Sequence, residues 1–109
     1  LISKALGFIR DNLHRDISRD ETARFAGISP SHFSRLLKER TGRSFTELLR
    51  QCRVDLACDL LRSTEKSLAQ IADACGFCDQ SYFTHVFQDV KGVTPKQFRD
   101  AGRANGSGG

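Results

Sequence analysis

Apolar residues recur along the chain at helical spacing, in segments separated by short polar breaks. The longest segment carries them every three or four positions, at Phe45, Leu48, Leu49, Cys52, Leu56 and Leu60. This period is typical of an amphipathic α-helix that buries one stripe, whereas the sequence shows none of the sustained alternation of a β-strand. The pattern predicts an all-α fold of seven helices, at about 2–13, 19–26, 30–41, 45–62, 68–75, 80–90 and 95–100.

Start and stop signals fall between these segments. A Ser or Thr followed three residues later by Glu or Gln can satisfy two free backbone N–H groups at a helix start. The pair recurs as Ser18 with Glu21, Ser44 with Glu47, Ser67 with Gln70, and Thr94 with Gln97. Glycines stand where helices are expected to end. Residues 101–109, which finish in Asn-Gly-Ser-Gly-Gly, are predicted to form a flexible tail.

An internal repeat divides the chain into two copies. Gly27 reappears as Gly76, an offset of 49 residues, and after one extra turn residue Phe33 reappears as Phe83. Each copy is a short helix, a glycine turn and a longer helix, the arrangement of a helix-turn-helix unit. The repeat predicts a double helix-turn-helix domain over residues 1–100: a first subdomain at about 2–43, a linker helix at 45–62 and a second subdomain at about 67–100.

The longer helix of each copy has a polar stripe opposite its apolar one. The apolar stripes are Phe33, Leu36 and Leu37 in the third helix and Phe83, Val86 and Phe87 in the sixth. Opposite them lie short polar and hydrogen-bonding side chains: Ser31, Ser34, Arg35 and Lys38 in the third helix, and Ser81, Thr84, His85 and Gln88 in the sixth, with Gln80 at its start. Short side chains let a helix approach the DNA major groove, where Arg and Gln can pair with base edges. The alternative is an ordinary solvated face, but two repeat-related helices favour DNA reading.

Charge adds a weak preference for a polyanionic partner. Lys and Arg number 17 against 13 Asp and Glu, a formal net charge of +4, which solubility alone could explain. The placement of the basic residues is more informative, because Arg40, Arg43, Lys91 and Lys96 flank the polar stripes. Together with Lys38 and the helix start at Ser44, they are candidate DNA-phosphate contacts. Solubilising surface charge is the alternative for each.

Length and composition exclude several classes of protein. A chain of 109 residues that is 39% hydrophobic suits one domain with an ordinary core. The sequence contains no run long enough for a membrane span and opens with no signal peptide, so a cytoplasmic location is expected. No Gly-rich phosphate loop, His-Glu-x-x-His motif or nucleophile elbow is present, so no enzymatic activity is expected. Because the chain lacks Met, we expect it to be a piece of a longer protein.

Four cysteines, Cys52, Cys58, Cys75 and Cys78, admit two interpretations. Cys75 and Cys78 have the spacing of a metal-ligand pair, but no second pair with that spacing accompanies them. Core thiols are therefore favoured, with no metal or other cofactor expected. A zinc or redox site at Cys75 and Cys78 remains the alternative.

The residues resemble the DNA-binding domain of the AraC/XylS transcription regulators over about residues 2–100. The most specific part is Ile71-Ala72-x-x-Cys75-Gly76-Phe77-x-Asp79-Gln80-Ser81-Tyr82-Phe83-x-x-x-Phe87, followed by Lys91-Gly92-Val93-Thr94-Pro95-x-x-Phe98-Arg99. The resemblance implies two helix-turn-helix subdomains joined by the fourth helix, with the third and sixth helices in successive major grooves of double-stranded DNA. The base-facing positions it implies are Ser31, Ser34 and Arg35 in the first subdomain, and Gln80, Ser81, Thr84 and His85 in the second.

The resemblance also implies partners beyond DNA. Family members are bacterial and usually carry an effector-sensing or dimerising domain elsewhere in the chain, and RNA polymerase is the expected partner of the full-length regulator. A helical protein-interaction module that has lost DNA reading is a competing hypothesis. It predicts an exposed apolar patch on the third or sixth helix.

Overall fold

The computed structural model describes the backbone of residues 2–108 and the side chains of residues 2–102. The described part of the chain consists of helices joined by irregular segments and contains no strands. Its helices are α1 (Ile2–Asp11), α2 (Arg19–Ala26), α3 (Pro30–Thr41), α4 (Phe45–Ser63), α5 (Leu68–Ala74), α6 (Gln80–Lys91) and α7 (Pro95–Gly108). The all-α prediction of seven helices is confirmed. None of the helices in the described range has the length and apolar character that crossing a membrane requires.

The chain forms two compact units, one reaching to Cys52 and the other beginning at Arg53, so their boundary falls within α4. The first unit contains α1, α2 and α3, and the second contains α5, α6 and α7. Each unit therefore holds one copy of the sequence repeat.

The predicted Ser/Thr and Glu/Gln pairs close reciprocal capping boxes at three helix starts. At α4 the Ser44 N–H donates to Glu47 Oε1 (3.0 Å) while the Glu47 N–H donates to Ser44 Oγ (3.2 Å). Ser67 and Gln70 do the same at α5, with distances of 2.9 and 3.1 Å. Thr94 and Gln97 repeat the arrangement at α7, again at 2.9 and 3.1 Å. These bonds satisfy N–H groups that a helix start otherwise leaves free.

The start of α2 uses a partner that the local pattern does not indicate. The Ser18 hydroxyl accepts from the Glu21 N–H at 3.0 Å, as predicted. The Glu21 carboxylate, however, accepts two hydrogen bonds from Arg15, at 2.7 and 3.3 Å. The hydrogen bonds from the Arg15 guanidinium are the main reason why the pKa of Glu21 lies below its ordinary value. Arg15 thereby ties the loop after α1 to the first turn of α2.

Both long helices of the repeat end at equivalent glycines. Gly42 after α3 and Gly92 after α6 adopt φ values of 74° and 80°, and their N–H groups donate to Lys38 and Gln88 carbonyls. A residue with a Cβ is strained at this left-handed conformation. The two copies therefore stop their long helices at the same point by the same device.

Two predicted helix ends differ from the structure by more than one residue. Helix α1 ends at Asp11 rather than at residue 13, because Asn12 turns back and its side-chain amide donates to the Phe8 carbonyl at 2.8 Å. Helix α7 continues to Gly108 rather than ending at residue 100, so the backbone of residues 101–108 is helical where a tail was predicted. A glycine inside a helix, such as Gly102, costs only about 1 kcal/mol, and Ala101 favours helix. Residue 109 lies outside the described residues.

The core of the second unit is aromatic. The Phe83 ring packs at a tilt against Phe77 and edge-on against Phe87, with ring centroids 5.1 and 5.8 Å apart, and Phe87 contacts Phe98 of α7 at 5.5 Å. Aliphatic and thiol side chains complete the cluster: Val54, Ala57, Cys58, Leu61, Ile71, Ala72, Cys75 and Val86. Residues from α4, α5 and α6 thus share one core, and this core fixes the rotation of α6 about its axis.

The first unit buries smaller side chains around one phenylalanine. Phe33 and Leu37 of α3 are fully buried, together with Ala5, Ile9 and Ala23 of the two preceding helices. Thr22 is also fully buried, and its hydroxyl donates to the Ser18 carbonyl at 2.8 Å. Because that hydroxyl is satisfied, its burial does not carry the penalty of an unpaired polar group.

Arg99 of α7 caps the end of α4. Its Nε donates to the Leu61 carbonyl at 3.2 Å, and its terminal nitrogen donates to the Thr64 carbonyl at 3.1 Å. These carbonyls lie at the C-terminal end of a helix, where partners are lacking and a cation is favoured. Arg99 therefore joins two helices of the second unit.

Replacing Arg99 by Met tests this cap. We expect R99M to lower the free energy of unfolding by about 1–2 kcal/mol, because two charge-assisted bonds are lost from a half-buried site while the aliphatic stem is kept. K96M, on the same helix but highly exposed, is the control and should change stability by less than about 0.5 kcal/mol. Urea unfolding measures both, and equal stabilities of R99M and K96M would show that Arg99 is not a cap.

Candidate nucleic-acid interface

Helix α3 separates its predicted stripes cleanly. Phe33 and Leu37 are fully buried and Leu36 is half-buried. Opposite them, Ser31, Arg35 and Lys38 are exposed and Ser34 is half-buried. Burial of the apolar stripe therefore fixes the rotation of α3 and keeps its polar face on the surface.

Helix α6 reproduces this arrangement position by position. Phe83, Val86 and Phe87 are buried, Thr84 is half-buried, and the other polar positions are exposed: Gln80, Ser81, His85 and Gln88. Buried Phe83 corresponds to Phe33, and half-buried Thr84 corresponds to Ser34. The two units thus present surfaces of the same design with different side chains.

Arg35 is the one arginine among the candidate base-reading side chains, and its guanidinium is exposed. Among the residues that the structure describes, none forms a hydrogen bond or an ion pair with its guanidinium. His85, its counterpart in α6, lies 3.5 Å from the Asp89 carboxylate one turn along the helix. A free guanidinium keeps all of its donors for a ligand.

An open groove beside α3 brings several predicted residues together. It is lined by Arg19, Ser34, Lys38, Ser44, Phe45 and Thr46. Lys38 donates to the Gly42 carbonyl at 3.1 Å, so its ammonium stays close to the capped start of α4. Lys38 and the helix start at Ser44 suit a phosphate oxygen, whereas Arg19 is paired with Asp20 at 3.1 Å.

Arg19 belongs to this groove, and the sequence analysis missed it. Its NH1 donates to the Ser34 hydroxyl at 3.2 Å, across a separation of 15 residues. No local motif or helical period connects positions so far apart, so the contact becomes visible only when α2 packs against α3.

The remaining candidate phosphate contacts are more scattered. All four are exposed: Arg40, Arg43, Lys91 and Lys96. Arg40 does not line the groove, because it follows Lys38 by two residues and its side chain therefore points about 200° away around the helix. It lines a separate cavity with Ile2, Ser3, His32 and Leu36. In the second unit, the Lys91 ammonium lies 6.0 Å from the centre of the Phe98 ring, and Lys96 is paired with Asp100 at 3.6 Å. A phosphate would compete with that pair for Lys96.

Tyr82 is a second exposed residue that the sequence analysis left without a role. It lies on α6 between Ser81 and Phe83, is 45% exposed, and sets its ring edge against Phe77 at 6.0 Å. Its amide N–H is held by the Asp79 carboxylate at 2.7 Å, which caps the start of α6. In the sequence, the only feature that singles out Tyr82 is its place in the motif Asp79-Gln80-Ser81-Tyr82-Phe83.

Comparisons with known proteins agree with this geometry. A family model described as a helix-turn-helix domain matches residues 22–101. The chain is similar to an AraC-type DNA-binding domain protein from Chromobacterium violaceum, with 28% identity, a TM-score of 0.88 and coverage of 92% of this chain and 89% of that one. It is also similar to the DNA-binding domain of AdpA, crystallised with a target DNA: 26% identity, a TM-score of 0.90, and coverage of 99% and 97%.

The chain belongs to the AraC family of helix-turn-helix DNA-binding domains. A curated relative is the MmsAB operon regulatory protein of Pseudomonas aeruginosa, 32% identical over 102 residues that make up 94% of this chain and 33% of that protein. The chain spans about a third of the length of the curated relatives it matches. The family prediction, the fold with two helix-turn-helix motifs and the absence of enzymatic activity are thereby confirmed, since this is a family of bacterial transcription regulators.

The cysteines of this AraC-type domain differ in their burial. Cys58 and Cys75 are buried, and burial raises the pKa of both thiols, to about 12 for Cys75. Cys78 is exposed and Cys52 half-buried, so the core-thiol prediction is wrong for Cys78. The reason is the extra residue of the second turn, which carries Cys78 outside the core. Nowhere in the described residues do three His, Cys, Asp or Glu side chains gather as a metal site would require.

Alkylation tests the distinction between Cys75 and Cys78. In the native domain at pH 8, iodoacetamide should modify Cys78 within minutes and leave Cys75 unmodified, because only the exposed thiol is accessible and Cys75 stays protonated in the core. Peptide mass spectrometry reports both sites. Unfolding in guanidinium is the control and should expose both thiols. Equal protection of the two in the native state, relieved by a chelator, would instead indicate a shared metal.

Proposed function

We propose that this domain binds double-stranded DNA sequence-specifically, with α3 and α6 in successive major grooves, as the reading module of a bacterial transcription regulator. The observation that carries the proposal is the duplicated surface: both copies hold a short-chained polar stripe outward on an equivalent helix. Short Ser and Thr side chains allow close approach of the helix backbone to base edges. That a related domain, AdpA, was crystallised with its target DNA supports the same conclusion.

In the first unit, Ser31, Ser34 and Arg35 would contact bases. The unpaired guanidinium of Arg35 suits a bidentate contact with guanine O6 and N7, the commonest specific pairing in the major groove. Ser31 and Ser34 lie one helical turn apart on the same stripe, so they would face neighbouring base pairs. Arg35 would therefore contribute most of the discrimination in this half of the site.

In the second unit, Gln80, Ser81, Thr84 and His85 would contact bases. Gln80 opens α6, and its amide can pair with adenine N6 and N7. The N-terminal residues of a recognition helix are the ones that usually reach base edges. His85 can leave the exposed Asp89 carboxylate at little cost, since an exposed pair at 3.5 Å is weakly held.

Phosphate contacts would fix the position of each reading helix without specifying sequence. The candidates are Lys38, Arg40, Arg43 and Ser44 in the first unit and Lys91 and Lys96 in the second. The groove that joins Lys38 to the start of α4 supports the first set. The exposure of Lys91 and Lys96 beside α6 supports the second.

The partners of the parent protein follow from the family. RNA polymerase is the proposed partner of the full-length regulator in the bacterial cytoplasm, and an effector-sensing or dimerising domain would occupy part of the remaining length. The relatives, of which this chain spans about a third, leave room for such a domain.

A protein-interaction module is disfavoured by the exposed faces of α3 and α6. Among the described residues, the exposed large hydrophobic side chains are Phe25, Tyr82 and Val93. Of these, only Tyr82 lies on a proposed reading helix, and it is flanked by polar positions. An apolar docking surface needs a contiguous patch, which a single tyrosine does not supply.

Replacing Arg35 by Ala tests base reading. On a site selected from random DNA, R35A should bind with a free energy about 1–3 kcal/mol weaker and lose its preference at one base pair, because a bidentate contact is removed. Competition binding against duplexes that carry each of the four base pairs at every position measures this. A uniform loss, with all preferences intact, would contradict base reading by Arg35.

Lys91 provides the contrasting case. K91A should weaken binding to all sequences equally and reduce the slope of log affinity against log salt by about one, because one phosphate contact is lost. K66A removes an exposed lysine of the same unit outside the proposed set and should leave the slope unchanged. Equal slopes for K91A and K66A would remove Lys91 from the interface.

A further inference from the structure

Arg19 is held in place beside a proposed base-reading residue. Its Nε donates to Asp20 Oδ1 at 3.2 Å, and its NH2 lies 3.1 Å from the same oxygen. The remaining NH1 donates to the Ser34 hydroxyl at 3.2 Å. The carboxylate therefore orients the planar guanidinium so that its free corner meets Ser34.

We propose that Arg19 is a positioning residue that sets the base preference of Ser34. The inference rests on the proposed function, because it requires α3 to lie in the major groove. A serine hydroxyl rotates freely on an exposed helix, and a rotating hydroxyl contributes little discrimination. The guanidinium occupies one lone pair of the Ser34 oxygen, so the hydroxyl proton is left to donate to an acceptor on a base edge.

The electrostatic effect acts in the same direction. A cation that donates to the Ser34 oxygen polarises the hydroxyl and makes it a stronger donor. It also disfavours the approach of a hydrogen-bond donor, such as the exocyclic amine of a base, whose protons carry partial positive charge. Ser34 therefore favours base atoms that accept hydrogen bonds.

The second copy lacks this arrangement and supplies an internal comparison. Counting forward from the matched N-caps Ser18 and Ser67, the counterpart of Arg19 is Leu68, the first residue of α5. Leu68 packs against the apolar core of its unit, and Thr84 stands where Ser34 does. The contact thus belongs to the first unit, and leucine at this helix position is compatible with the fold.

The test compares R19L with R24L in the whole domain. Both variants remove one positive charge from α2, but Arg24 is exposed in the last turn and has no contact with Ser34. Affinities are measured for duplexes that carry all four base pairs at each position of the selected site. S34A identifies the base pair that Ser34 contacts.

We expect R19L to reduce the preference at that base pair by about threefold to tenfold, the effect of one hydrogen bond, and to leave the other positions unchanged. R24L should retain the preference. On the S34A background, R19L should have no further effect on preference, because the two residues act through one contact. Thermal unfolding of R19L checks that the fold is intact.

Two results would overturn the proposal. A uniform loss of affinity, with a salt slope smaller by about one and all base preferences intact, would make Arg19 a phosphate contact. Unchanged binding by R19L would show that Arg19 has no role in base recognition. Failure of the proposed function is a distinct result, since the wild-type domain would then show no base preference at any position.

Discussion

The arrangement of the whole interface depends on the burial of one apolar stripe on each of two helices. Phe33 and Leu37 anchor α3, and Phe83 and Phe87 anchor α6. Deleting a buried phenylalanine typically costs about 3–5 kcal/mol, more than any exposed contact on the opposite face contributes. Rotation of either helix about its axis is therefore prohibited, and the polar stripe is presented outward whatever its side chains are.

Because the buried stripe fixes each helix and the exposed stripe does not, the two copies of the repeat can share one fold and still carry different exposed side chains. The buried positions of the two copies match, and the helices end at equivalent glycines with similar backbone angles. The outward positions differ, since Arg35 in α3 corresponds to His85 in α6 and Lys38 corresponds to Gln88. Because the core does not depend on these side chains, each unit can present its own donors and acceptors to DNA.

Local chemistry was sufficient to predict most of the fold. Capping pairs such as Ser67 with Gln70, glycine stops and apolar periodicity act within a few residues, so the boundaries of α2, α3 and α6 follow from sequence to within one residue. The same reasoning separated buried from exposed faces on α3 and α6. On α4 it was wrong by one position, because Val54, Ala57 and Leu61 are buried where Leu56 and Leu60 were predicted to be. The errors arose where the prediction rested on local sequence alone, as at the end of α7 and in the burial of Cys78.

Contacts between distant residues could not be predicted in this way. Arg99 caps α4 from a position 35 and 38 residues away, and Arg19 reaches Ser34 across 15. Each is a long, exposed or half-exposed side chain that could point in many directions until the helices pack. The candidate site was therefore predicted as a set of outward positions, while the contacts that orient those positions required the structure.

Hydroxyl-radical footprinting on a site selected from random DNA tests the central claim most directly. If α3 and α6 read successive major grooves, the domain protects two tracts centred about one helical turn, roughly 10 base pairs, apart on one face of the duplex. Base preferences should fall within both tracts. A single protected tract, or two tracts with base preference confined to one, would contradict an account in which both polar stripes read DNA.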